Sequence, residues 1–335
     1  MSREPRAARG GGAPQASGEE RGEGPPRLNN VAGPLSRQQR RAFGAWAAVC
    51  VCWSTTFLAI RVAVETLPPL AVVSGIRYAT AGVILAVILW LQGASLPSRD
   101  SWPGHLLLGA LMIGFGNGAL VWAEQWVPSG MAAVMVATIP FWMIGIEALL
   151  PSGERIRTLQ WVGLVLGFSG LVLLASSNAR ISAAPNRQFL FGVIAVQLSC
   201  CGWAIGSAYS KRHARHENVL AAAALQMVLG GLMMVGAGTG LGEWRHALTI
   251  PPRAAIAWLH LVIFGALVGY VSYVYALKYL PVSFVSLYAY ITPVLAVVLG
   301  AIVLDEPFTP RMAIAVAIIF AGMVVVRRHA DTSHS

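Results

Sequence analysis

Charge is what this 335-residue chain has least of: 11% of its residues are Asp, Glu, Lys or Arg, against roughly 25% in an ordinary soluble domain. With 56% hydrophobic residues and a mean hydropathy of +0.64, the composition argues against a soluble globular fold. Its basic excess of +10 sits in an N-terminal tail and between apolar runs, so no single basic face is offered to nucleic acid. Cysteine is scarce. Cys50, Cys52, Cys200 and Cys201 all fall inside apolar segments, which leaves neither a disulfide framework nor a zinc site built from two separated CxxC pairs. They read as small apolar packing residues. His105, His213, His216, His246 and His260 are scattered without metal-site spacing, and His213 with His216 reads as a solvated loop. There is no HExxH, no GxSxG nucleophile and no Walker A sequence. An ATP-driven pump is thereby excluded unless another subunit supplies the ATPase, and no metal or cofactor is expected.

Residues 1–41 hold the run Gly10, Gly11 and Gly12, the pair Pro25 and Pro26, eight arginines and four glutamates, with almost no large apolar side chain. That tail reads as disordered. It lacks the apolar core and small-residue cleavage site of a signal peptide, so the first apolar segment is expected to remain as an anchor. From there the chain alternates apolar stretches of about 20 residues, long enough to cross roughly 30 Å of hydrocarbon as helix, with short polar or proline-containing breaks. Ten are expected, at 42–64, 70–92, 104–124, 130–150, 158–176, 189–209, 219–240, 254–277, 281–303 and 309–327. Residues 328–335 form a second short tail.

Arginine and lysine near the spans set orientation, because positive loops resist translocation. With the N-terminus inside, twelve such residues fall on the cytoplasmic side, among them Arg41, Arg99, Arg155, Lys211, Arg212 and Lys278. Five, Arg180, Arg187, Arg245, Arg253 and Arg311, fall opposite. An even number of spans then puts both termini in the cytoplasm.

The second half repeats the first. An offset of 150 pairs Trp53 with Trp203, Cys50 with Cys200 and Arg61 with Lys211. At 153, Pro128 pairs with Pro281, Pro140 with Pro293, Gly116 with Gly269 and Ala123 with Ala276; at 152, Glu154 pairs with Glu306 and Gly170 with Gly322. Each copy, 42–176 and 189–327, holds five spans. An odd number makes the second copy enter the membrane from the opposite side, the inverted arrangement that alternating access uses. Gene duplication that merely built a stable bundle is the alternative.

The run Trp53, Ser54, Thr55, Thr56, Phe57, then Arg61, Pro68, Pro69 and Arg77, followed by Trp203, Ala204, Ile205, Gly206, Ser207 and Lys211, resembles the drug/metabolite transporter superfamily, EamA type. The resemblance covers nearly the whole chain after the tail. Within it, GNGALVWAEQWVPSGMAAVMVATIP, from Gly116 to Pro140, looks like the YedA-type inner-membrane permeases. The resemblance implies an all-α integral membrane carrier of ten helices in two EamA repeats, in the plasma (inner) membrane. It also implies a central cavity lined by helices 1, 3, 4, 6, 8 and 9, and substrates among amino acids, other metabolites and drugs.

An ionisable group deep in a bilayer costs about 2.5–3.5 kcal/mol on insertion scales, so each needs a partner, a wet cavity or an interfacial escape. Arg77 lies roughly 10 Å into span 2, where its fork of donors suits a carboxylate on a substrate or on Glu124. Glu124 closes span 3, placed to snorkel outward, to pair, or to take up protons. Glu147 is expected to face cytoplasmic water or Arg155. Asn117 interrupts span 3 among Gly114, Gly116 and Gly118, as a helix-packing amide or a substrate contact. Aromatic residues gather on the implied cavity helices: Trp53 and Phe57, beside Thr56; Trp122; Trp203, with Ser207 one turn on; Tyr270 and Tyr273; Tyr288 and Tyr290. They suit an amphipathic or cationic ligand, or simply anchor at the interfaces. Pro140 and Pro293 occupy equivalent places in spans 4 and 9, as hinges or as static kinks.

The reading that joins these features is a secondary transporter exporting a small organic solute, with proton coupling through Glu124 one option and exchange or facilitated diffusion another. An integral-membrane enzyme would need a serine–histidine pair, a diaspartate or a histidine cluster within the spans, and none is present. A membrane scaffold has little docking surface in such short loops.

Overall fold

The computed structural model describes residues 36–150, 158–178, 187–213, 217–245, 250–303 and 309–330. Among them regular structure is helical throughout. Seven segments are long and apolar enough to cross a membrane: α1 Arg37–Val64, α2 Pro69–Leu91, α3 Arg99–Ala123, α4 Ser129–Leu149, α6 Arg187–His213, α7 Val219–Gly240 and α8 Pro252–Tyr279. Three further helices accompany them, α5 Thr158–Asn178, α9 Tyr288–Val303 and α10 Pro310–Ala330. Large apolar side chains such as Leu58, Val87, Leu198, Leu232, Ile256 and Ile314 are exposed on the outer faces, as hydrocarbon rather than water requires. The chain is a multi-pass membrane protein.

Proline punctuates the boundaries. Pro68, Pro128, Pro251 and Pro281 stand at N-caps, where the missing N–H costs nothing and the preset φ favours helix entry. At the other ends Gly93 and Gly242 adopt φ of 71° and 77°, a left-handed conformation that glycine supplies without strain. The first helix begins earlier than hydropathy indicated. Ser36 and Gln39 form a reciprocal capping box, so Arg37, Arg40 and Arg41 belong to the helix instead of to the tail. Likewise α10 continues through Arg328. The rest of both tails, with Glu154, Arg155, Arg180, His216 and His246, lies outside the described residues.

Two helix pairs pack most intimately, α2 on α7 and α5 on α10, each through glycine. A Cβ built at Gly231 of α7 would lie 2.5 Å from the backbone nitrogen of Ala79, and one at Gly322 of α10 would lie 2.5 Å from that of Gly167. Lipid is as apolar as leucine, so membrane helices associate by this close backbone approach and not by hydrophobic exclusion. The start of α2 is closed from a distance: Glu243, beyond the end of α7, accepts from the amides of Leu70 (3.1 Å) and Ala71 (2.8 Å), placing a carboxylate at the positive end of a helix. Glu243→Ala is expected to lower stability by about 1–2 kcal/mol, visible as a lower melting temperature in detergent. Unchanged melting rejects the cap.

Candidate functional site

The middle of the bundle is built from interrupted helices. In α1, Ser54 Oγ donates to Val51 O, Thr55 Oγ1 to Cys52 O and Thr56 Oγ1 to Trp53 O. Three consecutive hydroxyls thus compete with the backbone ladder, and the helix breaks at Thr55. Segments Gly109–Gly118 of α3 and Leu261–Tyr270 of α8 widen into π-helical turns, a form that recurs at functional sites. Preceding α9, a single turn Val282–Val285 ends before Tyr288, and α4 breaks between Val136 and Ile139.

Two tryptophans seat against the widened turns. Trp53 lies directly against Gly269 and donates its indole N–H to Gly265 O at 3.1 Å. Trp203 lies against Gly116, where a Cβ would approach its ring to 2.8 Å, and Ser199 Oγ donates to Gly116 O. Only glycine leaves room for either indole. The rings of Trp53 and Trp203 meet edge to face at 5.4 Å, Tyr273 stacks on Trp53 at 5.4 Å, and Tyr288 meets it edge-on at 4.9 Å. Between them lies a cavity of about 60 Å³, lined by Trp53, Thr56, Phe57, Arg77, Asn117 and Trp203, together with Tyr78, Ser199, Tyr288 and Thr292. That is well below the roughly 300–1,000 Å³ of a small-molecule pocket.

Arg77 is 1% exposed. One Nη donates to Asn117 Oδ1, the guanidinium lies 4.4 Å over the Tyr78 ring, and Nε has no hydrogen-bond partner. Glu124 is wholly buried and neither carboxylate oxygen is hydrogen-bonded. It does not snorkel to water as its place at the end of span 3 suggested. Arg61 folds over that helix end instead, donating to the backbone oxygens of Glu124 and Gln125, and Arg61 and Arg77 supply the charges that reach the carboxylate. At the corresponding end of α8, Lys211 Nζ donates to Leu277 O (3.0 Å) and Leu280 O (2.6 Å).

Not every residue read from sequence faces the cavity. Ser207 and Tyr273 bond to each other at 2.7 Å behind the Trp53 ring. Tyr270 turns its hydroxyl to Gln226 at 2.8 Å. Trp122 packs edge-on to Trp126 at 4.5 Å, and Tyr290 donates to Leu164 O at 3.1 Å, tying α9 to α5. Glu147 is buried away from water, and Arg212 grips it with two bonds of 2.7 and 2.8 Å, the fork geometry preferred by guanidinium; Arg155 lies outside the described residues. Pro140 stands near the start of the helical piece Ile139–Leu149, whereas Pro293 lies inside α9. Tyr78, Ser199 and Thr292 escaped the sequence reading, because an ordinary Tyr, Ser or Thr in a span carries no burial-cost signal of the kind that singled out Arg77.

A multi-pass helical protein with a small polar and aromatic chamber at the meeting point of broken helices has the form of a membrane transporter. This chain belongs to the EamA-like transporter family, whose pattern matches twice, over residues 42–176 and again over 190–328, and so to the drug/metabolite transporter superfamily. It is 33% identical over 292 residues to the protein described as uncharacterized inner membrane transporter YedA of Escherichia coli (strain K12), covering 87% of this chain and 92% of that one. It is 26% identical over 286 residues to a probable terminal-alkyne amino-acid exporter of Streptantibioticus cattleyicolor, covering 84% and 93%. A solved crystal structure superposes with a TM-score of 0.72 at 20% identity, over 88% of this chain and 99% of that one, which establishes the shared fold.

Proposed function

We propose that the protein is a secondary exporter of a small carboxylate-bearing solute, moved by alternating access between two inverted halves of five spans each, 42–176 and 189–327. The observation that carries this reading is a crossed contact. Trp53 of the first half packs on Gly269 of the second, while Trp203 of the second packs on Gly116 of the first; in each pairing the partners correspond at the offsets of 150 and 153. The two cationic clamps correspond in the same way, Arg61 on the carbonyls ending α3 and Lys211 on those ending α8. Equivalent contacts made in opposite senses are what two inverted halves that rock about a shared site would form. On this reading the ten helices α1–α10 are the ten spans, both termini are cytoplasmic, and Pro140 and Pro293 are the bending points.

Arg77 supports the choice of solute. A buried guanidinium with an unsatisfied Nε beside an aromatic wall suits a carboxylate attached to an apolar body. The amino-acid exporter among the relatives is consistent with it. Trp53, Phe57 and Trp203 would pack the body, Asn117 and Thr56 would orient the polar end, and Glu124 would balance Arg61 and Arg77. The test is a thermal-shift screen of purified protein against amino acids, aromatic carboxylates and cationic drugs, since a ligand that binds the native state raises apparent stability by mass action. Each hit is followed by counterflow in reconstituted vesicles. A carboxylate hit that disappears in Trp203→Ala supports the reading; stabilisation by cationic drugs alone rejects the assigned solute class.

A further inference from the structure

A second and larger cavity, of about 280 Å³, opens at the end of the bundle where α6 terminates in Lys211, Arg212 and His213. His105, near the start of α3, is the buried titratable group at its inner wall. The ionisable side chains around it are Asp100, Tyr209, Lys211, His213, Glu217 and Lys278. His105 Nε2 meets Glu217 Oε2 at 2.9 Å, and its Nδ1 meets the amide nitrogen of Gln226 at 3.2 Å. Gln226 Oε1 in turn accepts from the Tyr270 hydroxyl at 2.8 Å. An amide nitrogen carries only protons, so Nδ1 accepts and the imidazole proton sits on Nε2, donated to the Glu217 carboxylate. All three bonds therefore run one way, from Tyr270 through Gln226 and His105 to Glu217.

We propose that His105 is a proton-binding site of this protein, and that the Gln226–Tyr270 chain carries its state of protonation from the end cavity to the central chamber. A second proton on the ring can go only to Nδ1, the atom that now accepts from Gln226. The chain then satisfies its donors and acceptors only by reversing. Gln226 exchanges its amide ends, so that its oxygen faces His105 and its nitrogen faces the Tyr270 oxygen. The Tyr270 proton must then leave Gln226, and the Met112 sulfur, 3.8 Å away, is an acceptor within reach. One proton is gained from solution, none is released elsewhere, and no covalent bond between heavy atoms changes. The reversal ends on the chamber wall, because the Tyr270 ring lies edge-on to Tyr78 at 5.9 Å and to Trp203 at 6.2 Å. Buried hydrogen-bond chains polarise one another and resist partial rearrangement, which suits them to pass a two-state signal.

Its use as a coupling device rests on the transport reading, but the reversal itself does not, and the experiment separates them. Tryptophan fluorescence of the full-length protein in phosphatidylcholine nanodiscs is titrated from pH 8.5 to 5, the range in which histidine is the side chain that ordinarily gains a proton, with no solute added. The wild type is expected to show a reversible transition. In His105→Gln and in Tyr270→Phe its amplitude falls at least threefold, while His260→Gln leaves it in place. Should His105→Gln fail to fold, Tyr270→Phe, which removes one hydroxyl, carries the test. A flat wild-type titration, or a transition that survives in Tyr270→Phe, overturns the proposal. A pH transition in a protein that binds and transports nothing in the screen would keep the relay and remove the transport reading; a transported solute with a flat titration would do the reverse.

Discussion

Gly231→Val will yield no stably folded protein in detergent, and Gly231→Ala will melt at a markedly lower temperature than the wild type. The first carbon of any side chain at this position would stand 2.5 Å from Ala79 N, 2.7 Å from Gly75 O and 3.0 Å from Ala79 Cα. All three are backbone atoms of α2, so no rotamer change makes space and the two helices must separate. The neighbouring positions offer no relief. Gly75 would place a Cβ 2.7 Å from Val235 N, and Gly82 would place one 2.8 Å from Ala224 O and Val228 N. Overpacking a core usually costs about 1–3 kcal/mol; against two rigid backbones the alanine variant should lie at the upper end, about 3 kcal/mol, and valine beyond it. In a bilayer that loss has no hydrophobic compensation, because separated helices simply exchange each other for lipid. Gly44→Ala, with nothing within 4 Å of its added carbon, is the control and should melt as the wild type does. Wild-type melting of Gly231→Val would show that α2 and α7 do not cross here.

What the sequence disclosed of this site follows from cost. A bilayer penalises charge and amide so heavily that Arg77, Asn117 and Glu124 stood out from their apolar runs, and two of them, Arg77 and Asn117, meet in one hydrogen bond. The tryptophans were visible because the repeat paired them, and both line the chamber. Direction within a helix was not visible. Tyr288 and Tyr290 are two residues apart, roughly 200° around an α-helix, so one faces Trp53 while the other reaches α5. Partners distant in sequence were equally hidden. Glu243 capping α2, Arg212 holding Glu147, and the line from His105 to Tyr270 each join residues on different helices, and no local pattern encodes such a meeting. The π-helical turns of α3 and α8 were missed for a related reason: glycines announced close packing in α3, but nothing announced the widening that the facing indoles accompany in both.

Arg77→Met is expected to abolish transport of the carboxylate solute proposed above, and a second substitution separates two causes of that loss. The guanidinium is buried, bonded to Asn117 and within electrostatic reach of Glu124. Deleting it takes the donor from Asn117 Oδ1 and removes one of the two cations whose charge reaches Glu124, and leaving a buried acceptor unsatisfied costs about 1–3 kcal/mol. The single variant should therefore melt early as well as lose function. In Arg77→Met/Glu124→Gln the acid whose field Arg77 meets is gone as well, and whatever coupling joins the two returns as stability, the non-additivity that a double-mutant cycle measures. Transport should not return. A charge-assisted hydrogen bond to a solute carboxylate is worth about 1.5–3 kcal/mol, or roughly 10- to 100-fold in affinity, and methionine cannot supply it. Recovery of counterflow together with stability in the double variant would mean that Arg77 only balances Glu124, and the carboxylate assignment would fall. Arg77→Lys adds a graded point: it keeps the charge but loses the fork that reaches Asn117 and a ligand together, so it should retain near-native stability and bind the solute roughly tenfold more weakly.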